Sequence, residues 1–97
     1  MNNIDINTLL LKLEKEPLNI IDIRNHYEYI EGRIPTAKNI DKNLLLITPN
    51  KYLDKSKEYY IYCQSGHSSN NLVIHLNQLG YNTVNITGGY NNYLLRK

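Results

Sequence analysis

Cys63 is the only cysteine in this 97-residue chain, and the residues after it, Gln64-Ser65-Gly66-His67-Ser68-Ser69, are too polar to wall an apolar pocket. A lone cysteine in a small domain is most often an inert packing residue. Two features of its surroundings favour reactivity. Cys63 ends an aromatic and β-branched run, Tyr59-Tyr60-Ile61-Tyr62, and precedes a helical pattern. It would therefore face the unpaired N–H groups of a helix N-terminus, which favour the thiolate over the thiol. Gly66 permits backbone angles that turn successive N–H groups toward one point, an anion-binding nest. Ser68 and Ser69 can cap the helix and donate a hydrogen bond to the sulfur. His67 is either a donor or titrating charge near the sulfur or a plain exposed loop residue. Together these residues describe a nucleophilic sulfur prepared to meet an anion without a general base.

The elements around this loop follow from hydrophobic spacing. Tyr59–Tyr62 reads as a buried strand, and Leu72, Val73, Leu76 and Leu79 as one apolar face of the helix after the loop, with Gly80 as its stop. Upstream, Ile4 and Ile6 read as a short edge strand, with Asp5 or Asn7 capping a helix from about Thr8 to Glu16 that ends at Pro17. Leu18, Ile20, Ile21 and Ile23 form a near-continuous apolar run, as in a strand buried on both faces of a parallel sheet. Asp22-Ile23-Arg24 leads out of that strand into a short helix, about His26 to Glu31, with Tyr27 and Ile30 facing inward. A turn at Gly32–Ala37 leads to a brief strand at Lys38–Ile40, and helical turns follow near Leu44–Ile47 and Tyr52-Leu53. Asn82–Ile86 is the last strand, Thr87-Gly88-Gly89 a tight turn and Tyr90–Leu95 a terminal helix.

Strands alternating with helices over short links predict an α/β fold, a mainly parallel sheet with helices on both faces. Ligands of such sheets sit outside the carboxyl ends of the strands. Cys63 and the Asp22–Arg24 turn both lie at such ends, so they are candidate neighbours.

Length and composition bound the function. The chain reads as one domain, 1–97, with 41% apolar and 21% charged residues. A net charge of +2 with scattered lysines gives no case for nucleic acid, and Lys51, Lys55 and Lys57 read as a solvated face. No stretch approaches the roughly 20 apolar residues of a membrane span, and the N-terminus lacks signal-peptide character. With no disulfide framework, the chain reads as cytoplasmic. One Cys and three scattered His offer no metal-ligand spacing, and no cofactor is called for.

Several motifs resemble the single-domain rhodanese family. Asp22-Ile23-Arg24, Tyr27-Glu28-Tyr29 and Glu31-Gly32-Arg33-Ile34-Pro35-Thr36-Ala37-Lys38-Asn39-Ile40 are similar to its first signature. Tyr62-Cys63-Gln64-Ser65-Gly66-His67-Ser68-Ser69 is similar to its active-site loop, and Leu79-Gly80-Tyr81 with Thr87-Gly88-Gly89-Tyr90-Asn91-Asn92-Tyr93 to its closing elements. The resemblance covers nearly the whole chain in the right order. It implies a rhodanese-like architecture with a central, mostly parallel five-stranded sheet. It also implies a sulfurtransferase in which Cys63 takes a sulfane sulfur from thiosulfate or a low-molecular-weight persulfide and passes it to a thiophilic acceptor. The N–H groups of Gln64 through Ser69 would then line the cradle around the outer sulfur. Asp22 and Arg24 would brace the fold beside it, with Arg24 paired to Glu28. The partners implied are small sulfur-containing anions or persulfides and, as acceptors, thioredoxin or other sulfur-relay proteins. The alternative is a non-catalytic or sulfur-carrier module that docks on a sulfur-trafficking partner.

The chain departs from the family at four positions. Ser68 stands where many single-domain members carry Arg, so anion binding would rest on backbone and helix dipole. Arg33 replaces the usual His; it either supplies the missing positive charge or is merely exposed. Thr36 replaces the usual Gly, which reads as a minor change. Tyr93 replaces the usual Trp in a packing role. The loop is also shorter than the Cys-x5-Arg loop of rhodanese-fold phosphatases and arsenate reductases, and it holds no Arg to clamp a tetrahedral oxyanion. Phosphoryl chemistry is disfavoured. A Cys-x-x-Cys oxidoreductase is excluded by the absence of a second cysteine.

Overall fold

Alternation along one strand sets the layers. β4 (Glu58–Tyr62) buries four consecutive residues: Tyr59 and Ile61 enter one core cluster, Tyr60 and Tyr62 the other. A strand wet on neither face belongs in the middle of a covered sheet. The computed structural model describes residues 2–96 and places β4 at that centre. The order is β1 (Asn3–Ile4), β5 (Asn82–Ile86), β4, β2 (Asn19–Asp22), β3 (Lys38–Asn39). Every neighbouring pair is parallel, where the sequence promised a mainly parallel sheet.

Helices cover both faces. α1 (Ile6–Lys15) and α5 (Gly89–Leu95) pack Ile6, Leu9, Tyr90 and Tyr93 on the face of Tyr60 and Tyr62. α3 (Lys42–Ile47) and α4 (His67–Gln78) pack Leu45, Leu72, Val73 and Leu76 on the face of Tyr59 and Ile61. Leu9, Ile34, Ile61 and Leu76 are completely buried, and each such side chain contributes about 1.5–3 kcal/mol of transfer free energy. Among the described residues no helix is long and apolar enough to cross a membrane.

The structure differs from the sequence reading at several places. Ile6 opens α1 instead of extending the edge strand, and Asp5 is the cap: its Oδ1 accepts from Thr8 N–H at 2.8 Å. In α2 (His26–Glu31) Tyr27 and Ile30 point outward, 67% and 59% exposed. Tyr29 packs inward instead, its hydroxyl donating to the Ala37 carbonyl at 2.6 Å. A helix of under two turns has no repeat long enough to fix its phase, so either apolar spacing could have been chosen. Leu79 is 45% exposed, because α4 closes with Tyr81 N–H donating back to the Leu76 carbonyl, and Tyr81 takes the core position.

Thr36 is not a minor change. Its φ is +69°, the left-handed region that a β-branched residue enters at a cost of about 1–2 kcal/mol. The turn into β3 demands that conformation, and among the described residues the exposed Thr36 side chain makes no hydrogen bond that repays it. Thr36→Gly is expected to stabilise the protein by about 0.5–1 kcal/mol, since glycine's greater freedom in the unfolded chain offsets part of the relief. A higher urea midpoint at unchanged slope would show it; an unchanged or lower midpoint would mean the strain is absent.

In a parallel sheet the residues that follow each strand gather on one rim. Here that rim carries Arg24 after β2, Lys42 after β3, Cys63 after β4 and Gly88-Gly89 after β5.

Candidate active site

The chain leaves β4 at Cys63 and turns back into α4 through a loop closed by Gly66 at φ +95°. That backbone conformation swings the Gly66 N–H onto the sulfur. Cys63 Sγ accepts from Gly66 N–H at 3.1 Å and Ser69 N–H at 3.4 Å, and it lies 3.3 Å from the Ser69 hydroxyl. Cys63 is buried, 8% exposed. Burial by itself pushes the thiol's pKa up. The hydroxyl and N–H of Ser69 and the N–H groups of Gly66 and Ser65 outweigh it and hold the pKa below the ordinary thiol value.

α5 supplies the outer brace of this loop. Tyr90 N–H donates to the Cys63 carbonyl at 2.9 Å and Asn91 N–H to the Gln64 carbonyl at 3.0 Å. With those two carbonyls anchored outward, the following peptide N–H groups turn inward. The approach is close enough that only glycine fits at position 89, whose φ is +57°. A Cβ there would press into the Cys63 carbonyl oxygen.

Beneath the loop lies a residue the sequence reading passed over. Asn85 on β5 is 4% exposed, accepts from the Ser69 hydroxyl at 2.6 Å and donates to the Gly66 carbonyl at 3.4 Å. In the thiol form the S–H can donate to Ser69 Oγ, which donates onward to Asn85. On ionisation the single hydroxyl proton is wanted by both the thiolate and Asn85. A polar residue in a buried strand position next to the cysteine loop is the signal that could have found it.

Ser69→Ala removes a donor to the thiolate, so the apparent pKa of Cys63 should move up. The pH dependence of iodoacetamide alkylation reads it, with an unmoved midpoint as the opposing result. Linkage adds a second sign. The folded pKa lies below the unfolded one, so ionisation adds stability as pH rises from the folded pKa to the unfolded value, and Ser69→Ala should flatten that rise.

The Asp22–Arg24 turn adjoins the loop. Asp22 is completely buried; its carboxylate accepts from Arg24 N–H at 2.8 Å, Arg24 Nη2 at 2.8 Å and the Tyr62 hydroxyl at 2.6 Å. Arg24 pairs with Asp22, not with Glu28 as the sequence reading had it. Glu28 instead accepts from Asn25 N–H at the start of α2. Burial works against the Arg24 charge, but hydrogen bonding and attraction to Asp22 overcome it and raise the pKa further. The guanidinium also donates to the Gly32 carbonyl and to Gln64 Oε1 at 3.2 Å, and it stacks 4.0 Å from the Tyr90 ring centroid. Gln64 is tied on to Asn91 at 2.6 Å.

Over the sulfur is a hollow of about 250 Å³ whose lining includes Cys63, Ser65, Ser68, Arg24, Glu28 and Lys42. Arg33 is not part of it: the side chain is exposed and stacks 4.3 Å above the Tyr29 ring. His67 is also elsewhere, exposed beside Ser65 Oγ at 3.2 Å and lining a separate hollow next to Gly88. The separation follows from α4, whose first residue is His67, turning that side chain away from Cys63. Tyr93 packs as expected, stacked 5.6 Å from Tyr90. A larger cavity, about 620 Å³, opens at the β2–β3 edge of the sheet, and its lining includes neither Cys63 nor any residue of the loop after it.

A five-stranded parallel α/β fold, with a buried, hydrogen-bonded cysteine at the turn from its central strand into a helix, defines a class. The sequence profile of the rhodanese-like domain matches residues 5–96, and the chain belongs to that family. Two relatives carry sulfurtransferase names. A Bacillus subtilis protein named as a candidate sulfurtransferase, YtwF, is 42% identical, the match covering 88% of this chain and 84% of that protein. A sulfurtransferase of Allochromatium vinosum is 34% identical, covering 92% of this chain and 84% of that protein. A crystal structure from Staphylococcus saprophyticus superposes with a TM-score of 0.88 at 35% identity, covering 96% of this chain and 93% of that one.

Proposed function

We propose that the protein is a sulfurtransferase that carries sulfane sulfur as a persulfide on Cys63. The observation that carries this reading is the convergence of Gly66 N–H, Ser69 N–H and the Ser69 hydroxyl on a single buried sulfur. The thiolate attacks the outer sulfur of a donor such as thiosulfate or a low-molecular-weight persulfide. A bond forms from Cys63 Sγ to that sulfur, and the donor's own S–S bond breaks. Its electron pair leaves with sulfite or a thiolate. The negative charge then rests on the outer sulfur of Cys63–S–S⁻, where the loop N–H groups from Gln64 to Ser69 and the α4 N-terminus stabilise it. A thiophilic acceptor attacks the outer sulfur and restores the thiolate. No proton has to be removed at the moment of attack.

Asp22 and Arg24 act at one remove, holding Gln64 and hence the start of the loop. Steady thiocyanate production from a sulfane donor and cyanide, lost in Cys63→Ala, is the expected result. No thiocyanate from thiosulfate or from persulfide donors would sink the reading. A second reading, a sulfur carrier serving a protein partner such as thioredoxin or another relay protein, is favoured by Ser68 standing where an arginine would grip a small anion. A persulfide that forms on Cys63 but is released only to a protein acceptor would decide for it.

A further inference from the structure

Three charged side chains reach the hollow over Cys63, and they differ in how far they are already used. Arg24 is neutralised by Asp22, stacked on Tyr90 and engaged with Gly32 and Gln64. Lys42, at the start of α3, is half-buried and stands in no ion pair; the pairs among the described residues are Lys12–Glu16 and Arg24–Asp22. Glu28 is half-buried, with its Oε1 on the Asn25 N–H. Among the described residues the hollow therefore presents one cation outside any ion pair and one carboxylate, beside Cys63, Ile23, the paired Arg24 and the hydroxyl and amide groups of Asn25, Gln64, Ser65 and Ser68.

This bipolar lining discriminates between donors. Thiosulfate concentrates two negative charges on one small group. In this hollow it would meet Glu28 as well as the Cys63 thiolate, with a serine where a guanidinium would otherwise receive it. A thiol persulfide separates its functions: the sulfane sulfur goes to Cys63, and the carbon tail lies in the hollow. We infer that Lys42 and Glu28 are the specificity-determining residues of this site, and that its donor is a small thiol persulfide whose tail carries a carboxylate for Lys42 and an ammonium for Glu28. The inference rests on the persulfide reading above. The transfer is balanced: Cys63–S⁻ and R–S–SH give Cys63–S–S⁻ and R–SH, with the donor's S–S bond broken, its electron pair leaving on R–S⁻, and the proton of the transferred outer sulfur passing to that leaving thiolate.

The test compares two donors with the same reacting bond and different tails, cysteine persulfide and the persulfide of 2-mercaptoethanol, with thiosulfate as a third. The readout is the single-turnover rate at which Cys63 gains one sulfur, followed by intact mass, in wild type, Lys42→Gln and Glu28→Gln. Glutamine at 28 keeps the oxygen that accepts from Asn25, so the start of α2 is preserved. The wild type is expected to favour cysteine persulfide. In Lys42→Gln the ratio of the cysteine persulfide rate to the mercaptoethanol persulfide rate should fall about tenfold or more. In Glu28→Gln that ratio should also fall, while thiosulfate gains relative to both. Raising the salt concentration should erode the wild-type preference. Loading that proceeds with equal rates for the two persulfides, or a ratio that Lys42→Gln leaves unchanged, overturns the inference and leaves the sulfurtransferase reading standing. A wild type that loads from no donor removes both.

Discussion

Asp22→Ala is expected to destabilise the protein by about 3–5 kcal/mol. The carboxylate is completely buried and accepts from the Arg24 backbone and guanidinium and from the Tyr62 hydroxyl. Removing it leaves a buried guanidinium without its counter-ion and a buried hydroxyl without its acceptor, so the desolvation cost of both falls on the folded state. Domains of this size have about 5–15 kcal/mol of stability in total. The variant should therefore be close to its threshold, with low soluble yield at 37 °C and a urea midpoint far below wild type. Asp22→Asn, which keeps the shape and one acceptor, should lose less. A midpoint for Asp22→Ala within about 1 kcal/mol of wild type would mean that the pair is solvated in solution. Arg24 also holds Gln64, so surviving Asp22→Ala protein should show slower alkylation of Cys63 as the loop loosens.

Gly89→Ala is the second large effect, and it acts on the site through the backbone. The left-handed φ alone costs about 1–2 kcal/mol for a residue with a Cβ. The added methyl then collides with the Cys63 carbonyl, and relief requires that carbonyl or the start of α5 to move. Either movement breaks the bond from Tyr90 N–H that orients the loop. A loss of at least about 2 kcal/mol is expected. Persulfide loading should fall more than stability alone explains, because the N–H groups no longer converge. A variant with wild-type loading would show that α5 is not needed to aim the loop.

The sheet was legible because the strands bury both faces: Leu18–Ile23 is apolar but for Asn19 and Asp22, and Tyr59–Tyr62 is an unbroken aromatic and β-branched run. The cysteine loop was legible for a different reason, since Gly66 and three serines between a strand and a helix have few other uses. Side-chain direction within short elements was not legible. α2 has too few turns to fix its phase, so Tyr29 was missed and Tyr27 and Ile30 wrongly turned inward. For Arg33 the sequence left two alternatives, the missing positive charge or an exposed residue, and the chain takes the second, laying that guanidinium on Tyr29. Lys42 had no motif around it. The rim rule for parallel sheets, applied to the residue after β3 as well as to those after β2 and β4, would have brought it forward. Thr36 shows the opposite failure: its identity was noticed, but the backbone angle that makes it costly is visible only in the folded turn.

The most direct test of the central claim is the intact mass of the protein after brief exposure to a sulfane donor, thiosulfate and cysteine persulfide in separate reactions, with wild type beside Cys63→Ala. The expected result is a gain of one sulfur atom on wild type with at least one donor, reversed by cyanide with release of thiocyanate and absent from Cys63→Ala. A folded wild type that gains no sulfur from either donor, or a gain that persists in Cys63→Ala, would contradict it.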